Sequence, residues 1–385
     1  MKNCQNWSRM RLRSGDKLQD KERKVSMDTE NKGSSLYVGI DCQKETPGVC
    51  YQDAQMKEAQ VLPLDFGGCD TRTACFRKIL SALKKYGKKE RIRVVLVLQD
   101  LSSETIEAYA KDACEAGFTR EQLQMISAPE SIAHLIMHQT NDIWQQQVWL
   151  LEFAGEEVKA SGFQVNKKTA PMLVSALKPE IWQIGEAGED RDDRLLGAVK
   201  ACFGKKPVSA VFLTGTDLNA QEYKKSREEL CRRRRVFLGE KIHARGACVL
   251  AGNQEDKKSY LFLSEQTLMY NTGIRSFSKG EESVHTLISA GCSWHEAKGE
   301  CEVLLVGDPL VEFVFWSMLG GEPVYEGLKL TDLPERAGGV TRLKVEVQYA
   351  NPTECEVKVT DLGFGEMWPG AEICWEEKFH VEERE

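Results

Sequence analysis

Two continuous apolar runs, RVVLVLQD at 93–100 and VWLLEFAG at 148–155, constrain the fold of this chain more than any other feature. An uninterrupted Val- and Leu-rich stretch of strand length leaves no face for water, so it belongs at the centre of a sheet covered on both sides. The covering helices stand nearby in the sequence. TRTACFRKILSALKKYG (71–87) places Phe76, Ile79, Leu80 and Leu83 at helical spacing, and SSETIEAYAKDACEAGF (102–118) opens on a serine cap and stops at Gly117. The strand LQMIS (123–127) leads to a helix from Pro129, and DRDDRLLGAVKACFG (190–204) forms another. SAVFLTG (209–215) reads as a strand followed by a helix from Asn219 to Arg234. This alternation predicts an α/β domain with a mainly parallel core.

The flanks complete the organisation. LYVGID (36–41) and VCYQD (49–53) form a hairpin around Pro47-Gly48, while VKASGFQV (158–165) and APMLVSA (170–176) add strands. After Gly252 the helices stop. LFLSEQTLMY, ECEVLLVGD, LVEFVFW, RLKVEVQYA and ECEVKVTDLG are strand-like and joined by turns, which predicts an all-β sandwich over 260–385 behind a polar linker at 253–259. Residues 1–35 are a basic, aperiodic tail carrying Arg9, Arg11, Arg13, Lys17, Lys21, Arg23 and Lys24, read as disordered; Met27 offers a second start just before the first strand.

Composition excludes several classes. A net charge of -7 argues against a general nucleic-acid binder, and no run of eighteen apolar residues could cross a membrane as a helix. The first residues hold no apolar signal segment. Thirteen scattered cysteines include no C-x-x-C pair, so neither a zinc ribbon nor a dithiol redox motif is expected, and a reduced, cytoplasmic setting follows.

The order of these pieces resembles the actin-like ATPase superfamily, and within it the DnaK-type heat-shock chaperones, from Leu36 to about His380. VGID (38–41) is similar to the first phosphate-loop strand, and the stretch 93–137 to the family's strand, helix and connecting helix. VWLLEFAGEEVKASGF (148–163) stands at the second phosphate loop, GEAGEDRDDRLL (185–196) at the helix start that follows it, and VFLTGTDL (211–218) at the adenosine loop. HARGACVLAG (243–252) resembles the second connecting helix, and YLFLSEQTL with 340–365 the peptide-binding sandwich. The resemblance implies an actin-like, ribonuclease-H-like domain over 36–252 without the two accessory lobes, followed by a lidless sandwich.

It also implies a nucleotide site at Asp41, Glu152, Gly155, Thr214, Gly215 and Thr216, should one bind. The family's glycine and hydroxyl residues in the first loop are here Gln43, Lys44 and Glu45, and the second loop is Glu152-Phe153-Ala154-Gly155-Glu156-Glu157. Extra carboxylates repel phosphate, by about 4 kcal/mol for a like pair 4 Å apart at an effective dielectric near 20. The family's water-positioning Glu falls on Ala128, and there is no room for the lobes that carry a catalytic lysine and clamp adenine. The expectation is therefore no catalytic residue, no resident metal and no resident cofactor, with Mg-ATP the one cofactor the resemblance would admit.

In the sandwich the resemblance places an extended peptide near Ile274, Phe277, Leu304, Leu305, Phe313 and Phe315, though strand alternation gives each of them a plain packing role as its rival. Two further signals point to blander roles. Glu130, His134 and His138 share one helix face but climb the axis by ~6 Å per step, too far to converge on one metal. Arg232 to Arg235 suit a helix C-terminus as a solvated basic end rather than a nucleic-acid contact. The sequence thus predicts a chaperone-like peptide- or protein-binding pseudo-ATPase without nucleic-acid or membrane partners. The alternatives are a divergent ATP-dependent chaperone that binds Mg-ATP and a self-assembling actin-like scaffold.

Overall fold

A computed structural model describes residues 35–381 other than 187, 189, 205, 216–221, 254–258, 279–280, 306–307, 335, 337–340, 365–367 and 371–372. The tail expected over 1–35 therefore lies, but for Ser35, outside the described residues, as does most of the linker at 253–259. The chain divides into two compact units between Phe262 and Leu263.

The first unit contains the same sheet twice. In one sheet β1 (Leu36–Asp41), β2 (Gly48–Asp53) and β3 (Gln60–Val61) form an antiparallel meander, and β4 (Ile92–Leu98) and β5 (Leu123–Ser127) add parallel to β1, giving the order β3-β2-β1-β4-β5. In the other, β6 (Gln147–Ala154), β7 (Glu157–Asn166) and β8 (Met172–Ala176) are the meander, with β9 (Glu180–Gln183) also on β7. Here β10 (Val208–Gly215) and β11 (Arg235–Leu238) are the parallel pair, on the far side of β6. Strand β12 (Tyr260–Leu263) lies beside β8, so these residues close the first unit instead of opening the sandwich. The sheets are mixed, which corrects the mainly parallel core. The turns β1–β2 and β6–β7 are too short for a crossover, and only antiparallel pairing can follow.

Helices α1 (Arg72–Leu83) and α2 (Ser103–Ala116) cover the first sheet through Phe76, Ile79, Leu80, Ile106 and Ala110. The Thr71 and Ser102 side chains cap them, and Gly117 ends α2 at φ 110°. Helix α3 (Ala128–Met137) leaves the first sheet but buries Ile132, Leu135 and Ile136 against Val148, Leu150 and Phe212 of the second. Helices α4 (Asp190–Phe203) and α5 (Lys224–Leu230) belong to the second half, and α6 (Ile242–Gly252) returns from it to pack Ala247, Leu250 and Ala251 on Val95, Val97 and Ile126. Two glycines let this exchange happen. A Cβ on Gly39 would lie 2.0 Å from the Ala244 carbonyl oxygen, and one on Gly246 would lie 1.8 Å from that of Ser131, where α3 and α6 meet. A duplicated sheet with exchanged helices is the actin-like architecture, as the resemblance implied.

The helix expected over 219–234 is shorter than its pattern. Residues 216–221 are not described, α5 ends at Leu230, Arg233 takes φ 61°, and Arg235–Leu238 become β11. Val236, Phe237 and Leu238 find the open edge of β10, and strand pairing there outweighs the weak helical preference of a β-branched and aromatic segment.

In the second unit, one sheet has the order β14 (Glu281–Ile288), β13 (Tyr270–Ser278), β16 (Leu310–Ser317), β17 (Val324–Lys329). The other runs β15 (Lys298–Leu304), β18 (Arg342–Asn351), β19 (Glu354–Phe364), with β20 (Trp368–Pro369) and β21 (Cys374–His380) both on β19. Alternate residues of both sheets meet in one core, including Ile274, Phe313, Phe315, Val345, Val357 and Phe379, which makes a sandwich.

Candidate functional site

The C-terminal ends of β6 and β10 lie side by side, and the loop after β1 comes near enough for the Lys44 charge to act on Glu152. Glu152, near the end of β6, pairs in register with Thr214 of β10, and Phe153 with Gly215. Gly215 has φ 139°, and a Cβ there would lie 2.3 Å from the Phe153 carbonyl oxygen, so the close approach of these strands requires glycine. Gly155 turns β6 into β7 at φ 56°, and its carbonyl accepts a hydrogen bond from the Arg191 guanidinium. The backbone N–H groups of Ile184 and Gly185 both donate to the Glu156 carbonyl, tying the turn to the segment before α4. Four of the expected nucleotide positions, Glu152, Gly155, Thr214 and Gly215, are thus neighbours. Thr216 lies outside the described residues.

Asp41 ends β1 in the other sheet. Its Oδ1 accepts from both the backbone N–H (3.2 Å) and the side-chain amide (2.9 Å) of Gln43, a local Asx-type closure of the first loop. Lys44 and Glu45 are exposed beyond it. The Lys241 stem at the start of α6 lies against this hairpin, 2.8 Å from where a Gly48 Cβ would stand.

Glu152 has a stronger engagement. Its Oε1 lies 3.0 Å from His243 Nε2, and the other ring nitrogen, Nδ1, lies 3.0 Å from Ser131 Oγ. Ser131 Oγ in turn lies 2.7 Å from the Ala128 carbonyl oxygen. Lys159 Nζ stands 3.9 Å from Glu152 Oε2. Burial by itself would raise the Glu152 pKa. The His243 hydrogen bond and charge, with Lys159 and the first-loop Lys44, outweigh it and hold the carboxyl below its ordinary value.

His243 and Ser131 are the residues that sequence reasoning missed. The available signal was a histidine opening HARGACVLAG, a helix in which Ala244, Gly246, Ala247, Cys248 and Ala251 are small and allow close packing. A ring with two polar nitrogens in such a tightly packed helix must find partners. His134, weighed instead as a ligand, hydrogen-bonds Tyr260 through Nδ1 at 2.8 Å and faces Glu130 at 3.7 Å. No group of three His, Cys, Asp or Glu side chains able to hold a metal occurs among the described residues.

The expected peptide positions separate into two groups. Ile274, Phe313 and Phe315 are 2%, 0% and 0% exposed, with Ile274 directly opposite Phe313 in the β13–β16 register. They are core residues, a correction that follows from strand alternation: all three point to the inner face. Phe277 is 70% exposed and Leu304 49%, while Leu305 is partly buried against the core.

With this geometry in place, the comparisons with known proteins can be stated. The chain belongs to the family of unknown function DUF5716, whose C-terminal model matches residues 70–265. Residues 267–381 match the domain of unknown function DUF8552. No curated protein matches the sequence. Among solved structures the chain is similar to a glucokinase from Leishmania braziliensis (10% identity, TM-score 0.38, covering 61% of this chain and 96% of that one). It is also similar to a protein of unknown function with an actin-like ATPase fold from Bacteroides thetaiotaomicron (14%, TM-score 0.33, 58% and 97%). A third is the ethanolamine utilization protein EutJ from Carboxydothermus hydrogenoformans (9%, TM-score 0.37, 58% and 90%). No helix among the described residues is long and apolar enough to cross a membrane.

Proposed function

We propose that this protein is a binding protein of chaperone-like type, in which the actin-like unit is a scaffold that does not turn over ATP and the sandwich engages an extended peptide or a partner protein. The observation that carries the reading is the Glu152–His243 contact at 3.0 Å. A carboxylate at this loop would serve nucleotide chemistry by holding a magnesium ion or its waters, and here it faces an imidazole anchored on Ser131. Asp41 is likewise engaged, by Gln43. With Glu156 and Glu157 beside the Gly155 turn, these residues do not fit a magnesium triphosphate.

On the sandwich, Phe277 and Leu304 are the exposed members of the expected peptide positions and supply apolar contact outside the core. Two titrations test the reading. Calorimetry of the full chain with Mg-ATP is expected to give no heat that depends on Glu152, so the titration should be unchanged in Glu152→Ala; micromolar binding that is lost in that variant would replace the scaffold reading with a divergent ATP-dependent chaperone. A peptide array probed with the full chain is expected to show binding that falls at least tenfold in Phe277→Asp/Leu304→Asp. No binding across the array would sink the peptide reading, and light scattering that rises with protein concentration would favour self-assembly.

A further inference from the structure

The basic run at 232–235 does not end a helix in solvent as its sequence suggested. Arg235 enters β11 and pairs with Asp142 at 2.6 Å, whereas Arg232, Arg233 and Arg234 form the turn after α5. Together with Lys200, Phe203 and Lys206 they line a cavity of about 650 Å³. Val208, at the start of β10, is part of its wall. Glu152 and Thr214 stand at the other end of that strand, ~20 Å away at the usual rise per residue. The cavity is therefore separate from the loops described above.

Its charge is unbalanced. Among the described residues, five cationic side chains line it against a single carboxylate, Glu229. Helices α4 and α5 also end here, and each helix C-terminus counts as roughly half a negative charge, so a surplus of about three positive charges remains. Glu229 does not absorb it: its oxygens are 3.9 Å from Arg232 and 3.7 Å from Arg234, beyond hydrogen-bond length. Lys200, Lys206 and Arg233 make no ion pair among the described residues. Arg234 is the most telling. Its guanidinium lies 5.1 Å from the Phe203 ring centroid, its side chain is 12% exposed, and its buried Nη1 has no hydrogen-bond partner among the described residues. A buried guanidinium donor without an acceptor is rare in native proteins and points to a ligand atom. Burial, only partly offset by Glu229, also pulls its pKa below the ordinary value.

Guanidinium forks match the oxygens of a phosphoryl group, and a strongly hydrated lysine adds charge without fixed geometry. We infer that this cavity is a binding site for a small, multiply charged phosphate anion, with Arg232, Arg233 and Arg234 as its principal ligands and Lys200 and Lys206 as supporting charges.

The test is calorimetric titration of the full chain with inorganic triphosphate, without magnesium and at low salt. Binding is expected, weakened at least tenfold in Lys206→Gln/Arg233→Gly; the glycine also suits the φ of 61° at that position. Arg234→Met is expected to abolish binding with the melting temperature nearly unchanged, because the apolar stem keeps contact with Phe203 and removes the Nη1 donor that has no partner among the described residues. Lys44→Gln/Lys159→Gln, which alters the other end of the sheet, should bind as the wild type does. ATP titrated into that variant identifies the source of the phosphate: tighter binding than triphosphate indicates a nucleotide stacked on Phe203, and equal binding a free polyphosphate. Absence of heat with the wild type, unchanged affinity in both cavity variants, or loss in the Lys44/Lys159 variant would overturn the assignment.

Discussion

The two halves of the first unit share a strand order and differ in how they satisfy their polar groups. In the first half, the loop after β1 and the start of α2 are closed locally. Asp41 is closed by Gln43 two residues on, and α2 is capped by Ser102, which immediately precedes it. The second half does so at long range. Glu152 is met by His243, 91 residues further along, and the N-terminus of α5 is capped by Asp192 of α4: Asp192 accepts from the backbone N–H groups of Lys225 (2.8 Å) and Ser226 (2.9 Å) and from Ser226 Oγ (2.6 Å). One topology therefore tolerates two styles of polar closure. The long-range style ties elements together, whereas the local style only finishes each one.

Where the halves meet, the contrast disappears and the effect of a mutation should be largest. Gly246→Leu forces a side chain into the Ser131 carbonyl and is expected to cost at least about 3 kcal/mol, read as a drop in the denaturation midpoint. Stability within error of wild type would mean that the helices do not cross so closely. Asp192→Ala should come next, at about 3 kcal/mol, since it strands the backbone donors of Lys225 and Ser226, while the Ser226 hydroxyl keeps the main-chain carbonyl of residue 192.

That variant also has a pH signature. Burial would raise the Asp192 pKa, but the bonds from Ser226 and Lys225 outweigh it and hold the carboxyl below its ordinary 3.8. A depressed carboxyl contributes stability above its unfolded value, and that contribution disappears as pH falls through the lower folded value. The wild type should accordingly lose part of its advantage over Asp192→Ala between about pH 4 and more acid conditions. An advantage that stayed constant across that range would show that ionisation of Asp192 is irrelevant.

His243→Ala should cost about 2 kcal/mol by removing a charge-assisted hydrogen bond from a partly buried carboxylate. Its melting temperature is the simple readout, and no change would argue that Glu152 is satisfied by Lys159 alone. Ser102→Ala, the local case, should cost about 1 kcal/mol. Should Ser102→Ala prove as damaging as Asp192→Ala, the distinction between the halves would collapse.

The same distinction explains what could be read in the sequence. Local features were legible: the apolar runs that became β4 and β6, a serine cap at 102 or 103, Gly117 at the end of α2, and Pro129 in the first turn of α3. Features that depend on a distant partner were not. The VFL of β11 is a strand only because β10 offers an edge, and Tyr260–Leu263 joins the first unit only because β8 is free to pair with it. The candidate site divides likewise. Thr214, Gly215 and Glu152 came from the resemblance of 148–163 and 211–218 to the family's phosphate and adenosine loops, but no pattern within either segment shows that His243 reaches Glu152. Ile274, Phe313 and Phe315 look the same in sequence as exposed apolar residues, and register alone puts them inside.

The exchange of α3 and α6 has a consequence for how the molecule can come apart. Each sheet is walled by a helix that the chain supplies from the opposite half, so a cut between α3 and β6 would leave two fragments that each expose what the other must cover. Such fragments should be recovered as a complex or not at all. In hydrogen exchange, the slowest amides of β4 and β6 should open in a single shared event rather than in two.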